Sequence, residues 1–396
     1  MAALSVIVRA SALENFHLTN RREDVRKLLT AGALTLIVVA LAITVTACGS
    51  KKKSSSTGTT ASGKAEVCAL LPDTKSSVRY TLFDAPLLQK AFTAAGVKGS
   101  VLNAQGDTQT QITQGQQCVT NGAKVILVDG IDSGTAGAIE KAAKAAGVKT
   151  IDYDRLTLGG SASYYVSFNN VTVGKLQGEA LVAAMKAKGV MGAGKSPVVA
   201  ELDGAPTDNN ATLFAAGAHT VLDPLFKSGA LTKGPRQAVP GWDNQKALTI
   251  FEQQLTKTGN KIDAVLAAND GLGNAVITAL KSHKLKPIPV TGQDATPQGV
   301  QNIISGWQSM TVYKAVPLEA NAAAAAAIAI IKGTPVKTNG TTKDTQANRS
   351  VPSILETPAT INKANYQILF KAGFIKKSEV CVGAFAKDCK TFTSPY

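Results

Sequence analysis

Several short apolar segments of this sequence are followed directly by polar side chains that could do chemistry. Asp154 and Arg155 place a carboxylate beside a guanidinium. The pair offers acceptors and forked donors that can bracket the vicinal hydroxyls of an uncharged ligand. Other apolar segments end in Asn169-Asn170, Asp203 through Asn210, Asn269-Asp270, Gln293-Asp294 and Lys314. As a set, these side chains are suited to a hydroxylated, uncharged ligand.

Each of these residues has a simpler explanation when it is taken alone. Asn and Asp after a strand commonly cap the next helix, because they accept hydrogen bonds from its first free N–H groups. Asp208 and Asp270 fit that role. The same pattern recurs at six segment ends, however, and the repetition favours a binding cleft.

A repeated alternation of strands and helices must position these residues. Short apolar runs such as 125–128 alternate with helical segments such as 134–146, and the alternation begins again at residue 173. Later predicted strands include 237–239 and 288–291. Such alternation predicts βαβ units, and hence an α/β fold of two doubly wound parallel-sheet lobes. Ligands of such sheets bind beyond the carboxyl ends of the strands, where the polar residues lie.

The first 65 residues predict export and anchoring. A positively charged flank precedes the apolar run 28–47, and small residues stand directly before Cys48. This arrangement is typical of a secretory signal and resembles a bacterial lipobox, in which the cysteine is acylated. We therefore predict a signal peptide at 1–47, and an acylated Cys48 followed by a flexible tether at 48–65. A transmembrane anchor is the alternative, since about twenty apolar residues can span a bilayer.

Composition and motifs argue against several other functions. Residues 1–64 carry +6 of the net charge of +15, and the remaining +9 is scattered along the chain, whereas a nucleic-acid partner requires a clustered basic face. The three histidines are dispersed and no CxxC occurs, so we expect no metal and no cofactor. The chain contains no nucleophile-elbow, HExxH or P-loop motif. Asp152 and Asp154 could imitate a glycosidase pair, but Arg155 would keep a neighbouring carboxylate ionised. We expect a binding protein and not an enzyme.

Four cysteines lie beyond Cys48, an even number that is compatible with two disulfides in an exported protein. Three pairings are possible. Because Cys381 and Cys389 are close in sequence, we expect them to bond, which leaves Cys68 with Cys118. Four buried free thiols are the alternative.

Seven stretches carry a resemblance to a known family: IDYDRL (151–156), YYVSFNNVTVGKLQGEALV (164–182), PTDNNATLFAAG (206–217), KIDAVLAANDG (261–271), VTGQDA (290–295), MTVYK (310–314) and VPSILETPATINKAN (351–365). They resemble the periplasmic sugar-binding proteins of the ribose/galactose/xylose type, most closely the xylose-binding members, over residues 66–380. The resemblance implies two lobes joined by three crossing hinge segments. We place the N-terminal lobe at 66–169 plus 315–345 and the C-terminal lobe at 170–314 plus 346–396.

The same resemblance implies roles for individual residues. Asp154 and Arg155 would grip sugar hydroxyls from the first lobe, and Asn210 would donate from the second. Trp242 would be the aromatic platform under the sugar. The remaining polar ligands would be Asn269, Asp294 and Lys314.

The loop 72–80 departs from the xylose-binding pattern, and this places the identity of the sugar in question. Within it, we expect Lys75, Arg79 and Tyr80 to reach the ligand.

The resemblance also implies a monosaccharide and the permease of an ABC transporter as partners. The predicted lipid anchor at Cys48 adds the membrane as a third partner. A receptor that feeds a sensor or chemotaxis system is the alternative. A sugar-responsive transcription regulator shares the fold, but the leader occupies the place of its DNA-binding domain.

Overall fold

The computed structural model describes residues 65–390. The predicted signal peptide, Cys48 and the tether up to residue 64 lie outside the described residues. The strands are β1 Val67–Leu71, β2 Gly99–Asn103, β3 Val125–Val128, β4 Lys149–Tyr153, β5 Tyr164–Phe168, β6 Val198–Asp203, β7 Thr232–Ala238, β8 Ala264–Ala267, β9 Met310–Tyr313, β10 Gly340–Asp344, β11 Arg349–Glu356 and β12 Ala359–Asn362.

The helices are α1 Ala85–Ala94, α2 Thr108–Thr120, α3 Ser133–Ala145, α4 Asn170–Ala187, α5 Asn209–Lys227, α6 Asn244–Thr258, α7 Asp270–Ser282, α8 Pro297–Ser305, α9 Val316–Lys332, α10 Ile368–Lys371, α11 Lys377–Val380 and α12 Phe385–Lys390. A π-helical turn at Tyr80–Asp84 precedes α1, and a 3₁₀ turn at Pro240–Trp242 follows β7.

The first lobe is built on one seven-stranded sheet with the order β10-β11-β5-β4-β3-β1-β2. All neighbours in it are parallel except the β10–β11 hairpin. Its interior strand β3 has the sequence VILV and is buried along its whole length. A continuous apolar run is expected there, because a parallel sheet is covered by helices on both faces.

The second lobe has a shorter sheet, β7-β6-β8, with β9 and β12 paired beside it. The predicted strand 288–291 makes only an isolated parallel bridge, from Val290 to Val265, and Gln293 makes a similar bridge to Val312 of β9. These two bridges connect β8 to β9 through the segment 290–293. The polar residues that follow β8, this segment and β9 therefore lie at the same edge of the lobe. Strand β7 extends over 232–238 rather than the predicted 237–239.

The chain crosses between the lobes three times, which agrees with the expected fold. It leaves the first lobe after β5, returns between β9 and α9, and leaves again between Glu356 and Ala359. One boundary differs from the prediction. Residues 346–356 are predicted in the second lobe, but β11 pairs with β5 and extends the first sheet. The polar hairpin β10–β11 gives no apolar signal that would have revealed this pairing.

Two disulfides are present among the described residues. Cys68 of β1 is bonded to Cys118 of α2, and Cys381 is bonded to Cys389 of α12. These are the two pairs that the sequence spacing favours. No helix within residues 65–390 is long and apolar enough to cross a bilayer.

Candidate functional site

The polar residues that follow the strands of both lobes converge on one small cavity between the lobes. The lining residues are Ser76, Ser77, Arg79, Tyr80, Asp154, Arg155, Asp208, Asn210, Phe214, Trp242, Asn269, Gln293, Asp294 and Lys314.

Asp154 lies directly after β4, with a left-handed backbone at φ 59°. Its Oδ1 accepts a hydrogen bond from Arg79 Nη1 at 2.9 Å and lies 3.4 Å from Lys314 Nζ. Burial alone would raise the pKa of Asp154, but the charges of Arg79, Lys314 and Arg155 outweigh burial and lower it. The carboxylate therefore remains ionised and acts only as an acceptor.

Arg155, the next residue, spans from the first lobe to the second. Its Nη2 donates to the Tyr80 hydroxyl at 3.0 Å, and its Nη1 donates to the Gly130 carbonyl at 3.1 Å. Its Nε lies 3.1 Å from Oδ2 of Asp208, which belongs to the second lobe. Burial raises the pKa of Asp208, although the charge of Arg155 opposes this shift. The guanidinium is thus held in one orientation at the wall of the cavity.

Arg79 lines the cavity, but each of its guanidinium nitrogens already has a protein partner. Nε and Nη2 donate to the two oxygens of Asp84 at 2.9 and 2.6 Å, and Nη2 also donates to Glu319 at 2.6 Å. Nη1 donates to Asp154. The geometry shows Arg79 holding the ionised Asp154 in place. A ligand contact by Arg79 stays a prediction from the sequence.

Lys75 is exposed and is not among the residues that line this cavity. It lies instead beside an outer groove that Val78 and Leu82 also line. The structure therefore does not bring Lys75 to the other predicted site residues. The backbone N–H groups of Lys75 and Ser76 donate to Asp73 Oδ1, which turns the loop at that point.

The second lobe contributes Asn210 at the start of α5. Its Nδ2 donates to the Asp154 main-chain carbonyl at 2.9 Å, and its Oδ1 accepts from Asn170 Nδ2 at 2.8 Å. Asp208 caps α5 through Oδ1, which accepts from the Asn210 N–H at 2.9 Å. The predicted capping role of Asp208 is therefore correct, and the same side chain also faces Arg155.

Trp242 lines the cavity and is 5% exposed. Its Nε1 donates to Asp208 Oδ2 at 3.1 Å, and its ring meets Phe214 edge-on at a centroid distance of 6.4 Å. Gly204, directly after β6, packs against the ring, and a Cβ at that position would clash with it. The Trp242 ring at the wall of the cavity is thus held in place by its contacts with Asp208, Phe214 and Gly204.

Asn269, Asp294 and Lys314 complete the second-lobe side. Asn269 Nδ2 donates to the Ser76 carbonyl at 3.2 Å, while its Oδ1 caps α7 by accepting from the Leu272 N–H. Ser77 Oγ donates to Asp294 Oδ2 at 2.9 Å, and Lys314 Nζ lies 3.6 Å from Asp294 Oδ1. These contacts join the loop after β1 to the opposite lobe.

Asp270 does not cap α7, contrary to the simpler reading of the sequence. It is the first helical residue and is fully buried, and Thr296 donates to its Oδ2 from both N and Oγ1. Gln308 Nε2 donates to its Oδ1 at 2.8 Å. Burial raises the pKa of Asp270 to about 7, and the nearby charge of Asp294 also raises it.

The sequence pattern did not single out Ser76, Ser77 and Phe214 as site residues, whereas Gln293 is one of the polar residues that the pattern places after a strand. Phe214 follows Asn210 by one helical turn, so the two share a face of α5, and this spacing could have revealed it. Gln293 directly precedes Asp294. The two serines lie in the loop after β1, where small polar residues give little signal.

The arrangement is suited to binding a neutral, hydroxylated ring. It provides ionised acceptors, forked donors and an aromatic face, which together suit a ring with hydroxyls at its edge and C–H groups on its face. Within residues 65–390 no cluster of His, Cys, Asp or Glu is arranged to hold a metal ion.

Comparison with known proteins places this geometry among binding proteins. The model of the periplasmic binding protein domain matches residues 68–335. The D-xylose-binding periplasmic protein of Escherichia coli (strain K12) is 36% identical over 299 residues, covering 75% of this chain and 87% of that protein. The multiple sugar-binding periplasmic receptor ChvE of Rhizobium radiobacter is 34% identical over 339 residues, covering 81% and 93%.

A solved structure has the same fold. The ABC transporter solute-binding protein from Clostridium phytofermentans, with bound β-D-glucose, matches with a TM-score of 0.74 and 30% identity. The match covers 79% of this chain and 99% of that protein.

Proposed function

Because this chain belongs to the periplasmic binding protein domain family, we propose that it captures a monosaccharide between its lobes and delivers it to an ABC importer. The observation that carries the proposal is the inter-lobe cavity, in which the ionised Asp154, Arg155 and the Trp242 face meet. The relatives named above are sugar-binding proteins and not enzymes.

The cavity supports an uncharged sugar over a charged ligand. Its carboxylates and cations already neutralise each other, since Lys314 lies within 4 Å of both Asp154 and Asp294. Hydroxyl groups both donate and accept, so they can bridge such a mixed set without adding net charge. D-xylose or a similar pentose or hexose is the proposed ligand, since two relatives are named for xylose and for multiple sugars and the solved relative contains bound β-D-glucose.

The sugar is captured by closure of the two lobes around it. The described contacts from Asn210 to the Asp154 carbonyl, from Ser77 to Asp294 and between Arg155 and Asp208 all cross from one lobe to the other. A sugar held by groups of both lobes binds the closed state better than the open state and shifts the equilibrium towards it. The closed form is the one that we propose docks on the permease.

We propose further that Cys48 is acylated and holds the protein at the outer face of the membrane. Metabolic labelling of producing cells with a clickable palmitate should mark the protein, and Cys48→Ala should remove the label. A label that persists in the variant would contradict the anchor without affecting the sugar proposal.

The central experiment is a thermal-shift and calorimetric screen of the full chain in mild detergent against pentoses and hexoses, with myo-inositol and maltose for comparison. Asp154→Asn should weaken binding of any sugar found by about 10-fold or more, because a hydrogen bond to a charged group contributes about 1.5–3 kcal/mol. Asp107→Asn is the matched control, since Asp107 caps α2 and is exposed. Absence of binding by every monosaccharide would refute the proposed function.

A further inference from the structure

The C-terminal segment from Tyr366 to Cys389, here called the C-terminal cap, packs against the crossings between the lobes. Its buried residues share one apolar cluster with Val316, at the start of α9, and with Ile361 of β12. Val316 directly follows the second crossing and Ile361 follows the third. Gln301 Nε2 of α8 donates to the Val380 carbonyl at 3.0 Å, and this bond ties the cap to the second lobe.

Phe374 is the residue of the cap that reaches across to the first lobe. Its ring stacks on Phe83, in the π-helical turn before α1, with centroids 4.2 Å apart and planes inclined by 23°. Its edge also meets Tyr313, the last residue of β9, at 4.8 Å. Phe374 is 5% exposed, so both contacts are dry.

Phe83 is next to a residue that supports the binding cavity, and Tyr313 is next to a residue that lines it. Phe83 precedes Asp84, which holds Arg79 and accepts a hydrogen bond from the Tyr153 hydroxyl. Tyr313 precedes Lys314, which contacts Asp154. One ring of the C-terminal cap therefore touches the turn that supports Arg79 and the crossing that carries Lys314.

We propose that Phe374 is a positioning residue that stabilises the closed lobes from the hinge side and thereby raises the affinity for sugar. The stack joins a first-lobe residue, Phe83, to a cap that is fixed on the second lobe. The rings of Phe374 and Phe83 are stacked in the present arrangement, in which Asn210 and Ser77 make contacts between the lobes. Rotation of the lobes apart separates the two rings. The inference rests on the proposed sugar-binding function.

The test compares Phe374→Leu with Phe370→Leu in the full chain. Both changes replace an aromatic ring of the cap with a smaller apolar side chain. The described ring contact of Phe370 is to Tyr366, 5.8 Å away, within the cap itself. Binding of D-xylose and D-glucose is measured by calorimetry, and unfolding midpoints show that each variant is folded. Small-angle scattering without sugar reports the fraction of open molecules.

Phe374→Leu should raise the Kd by about 5-fold or more and increase the unliganded radius of gyration, whereas Phe370→Leu should change the Kd by less than about 2-fold. A double-mutant cycle with Phe83→Leu should show that the two changes are not additive. Equal Kd and scattering for wild type and Phe374→Leu would overturn the inference. Should the wild type bind neither of these sugars nor any other monosaccharide, the proposed function fails, and the scattering comparison alone still decides the role of Phe374.

Discussion

The substitution Gly204→Ala should weaken sugar binding, because the added methyl group would displace the ring of Trp242. Gly204 directly follows β6, and an added Cβ would lie 2.6 Å from Trp242 Cζ3 and closer still to two other ring atoms. Carbon atoms in contact normally lie about 3.5–4.0 Å apart, so the ring must shift by about 1 Å or more. Such a shift would disturb the hydrogen bond from Trp242 Nε1 to Asp208, which is 3.1 Å long.

The magnitude follows from the cost of overpacking a closed site. Inserting a methyl group into a packed site costs about 1–3 kcal/mol, and 1.4 kcal/mol corresponds to a tenfold change in Kd. Since Trp242 lines the cavity, we expect the Kd for the sugar to rise by about tenfold, together with a lower unfolding midpoint. The Kd is measured by calorimetry on the folded variant.

Gly137→Ala is the matched control. Gly137 lies inside α3, and a Cβ there would have no neighbour within 4 Å. Replacing a helical glycine with alanine at such a site should leave the Kd unchanged and stabilise the fold by about 0.5–1 kcal/mol. An unchanged Kd for Gly204→Ala in a folded protein would refute the assignment of Trp242 to the sugar site.

Two further predictions concern stability. Because burial raises the pKa of Asp270 to about 7, the unfolded chain releases this proton at lower pH than the folded one, so the free energy of unfolding should fall as pH rises from about 4 to about 7. Asp270→Asn should flatten this dependence in urea titrations, and an identical slope in the variant would contradict the cause given. Replacing both Cys68 and Cys118 with alanine removes a cross-link over 50 residues and should lower the free energy of unfolding by about 2–5 kcal/mol. A loss below about 0.5 kcal/mol in chemical denaturation would contradict that prediction.

The sequence predicted the first lobe well because its strands carry strong signals. The run VILV at β3 is apolar throughout and is followed by a capped helix, so both elements could be recognised from pattern alone. The hairpin β10–β11 could not, since its residues are mostly polar and its place in the first sheet depends on pairing with the distant β5. Strand β7, with the sequence TKGPRQA, lies at the edge of its sheet and contains a proline, which weakens any strand signal.

The candidate site likewise contains residues whose position the sequence could predict and residues whose position it could not. Asp154, Arg155 and Asn269 follow strands, so their position at one edge of the sheet is a consequence of parallel topology. The role of Arg79 in holding Asp154 could not be predicted, because the Arg79 guanidinium is itself held by Glu319, which lies 240 residues away in sequence. Lys75 has a suitable charge, yet the turn made by Asp73 leaves it on the surface. Local chemistry indicates what a side chain can do, but tertiary packing determines whether it is free to do it.

The contacts at the cavity join parts of the chain that are far apart in sequence, and this has a consequence for biosynthesis. Ser77 meets Asp294 across 217 residues, and Asn269 meets the Ser76 carbonyl across 193. Contacts of such long range form late, since the loop entropy must be overcome first. A chain interrupted during translation would lack half of the cavity and gain no protection from sugar, whereas a finished chain is stabilised by it through mass action. Sugar in the surroundings would then protect completed molecules from proteolysis selectively and leave fragments to be degraded.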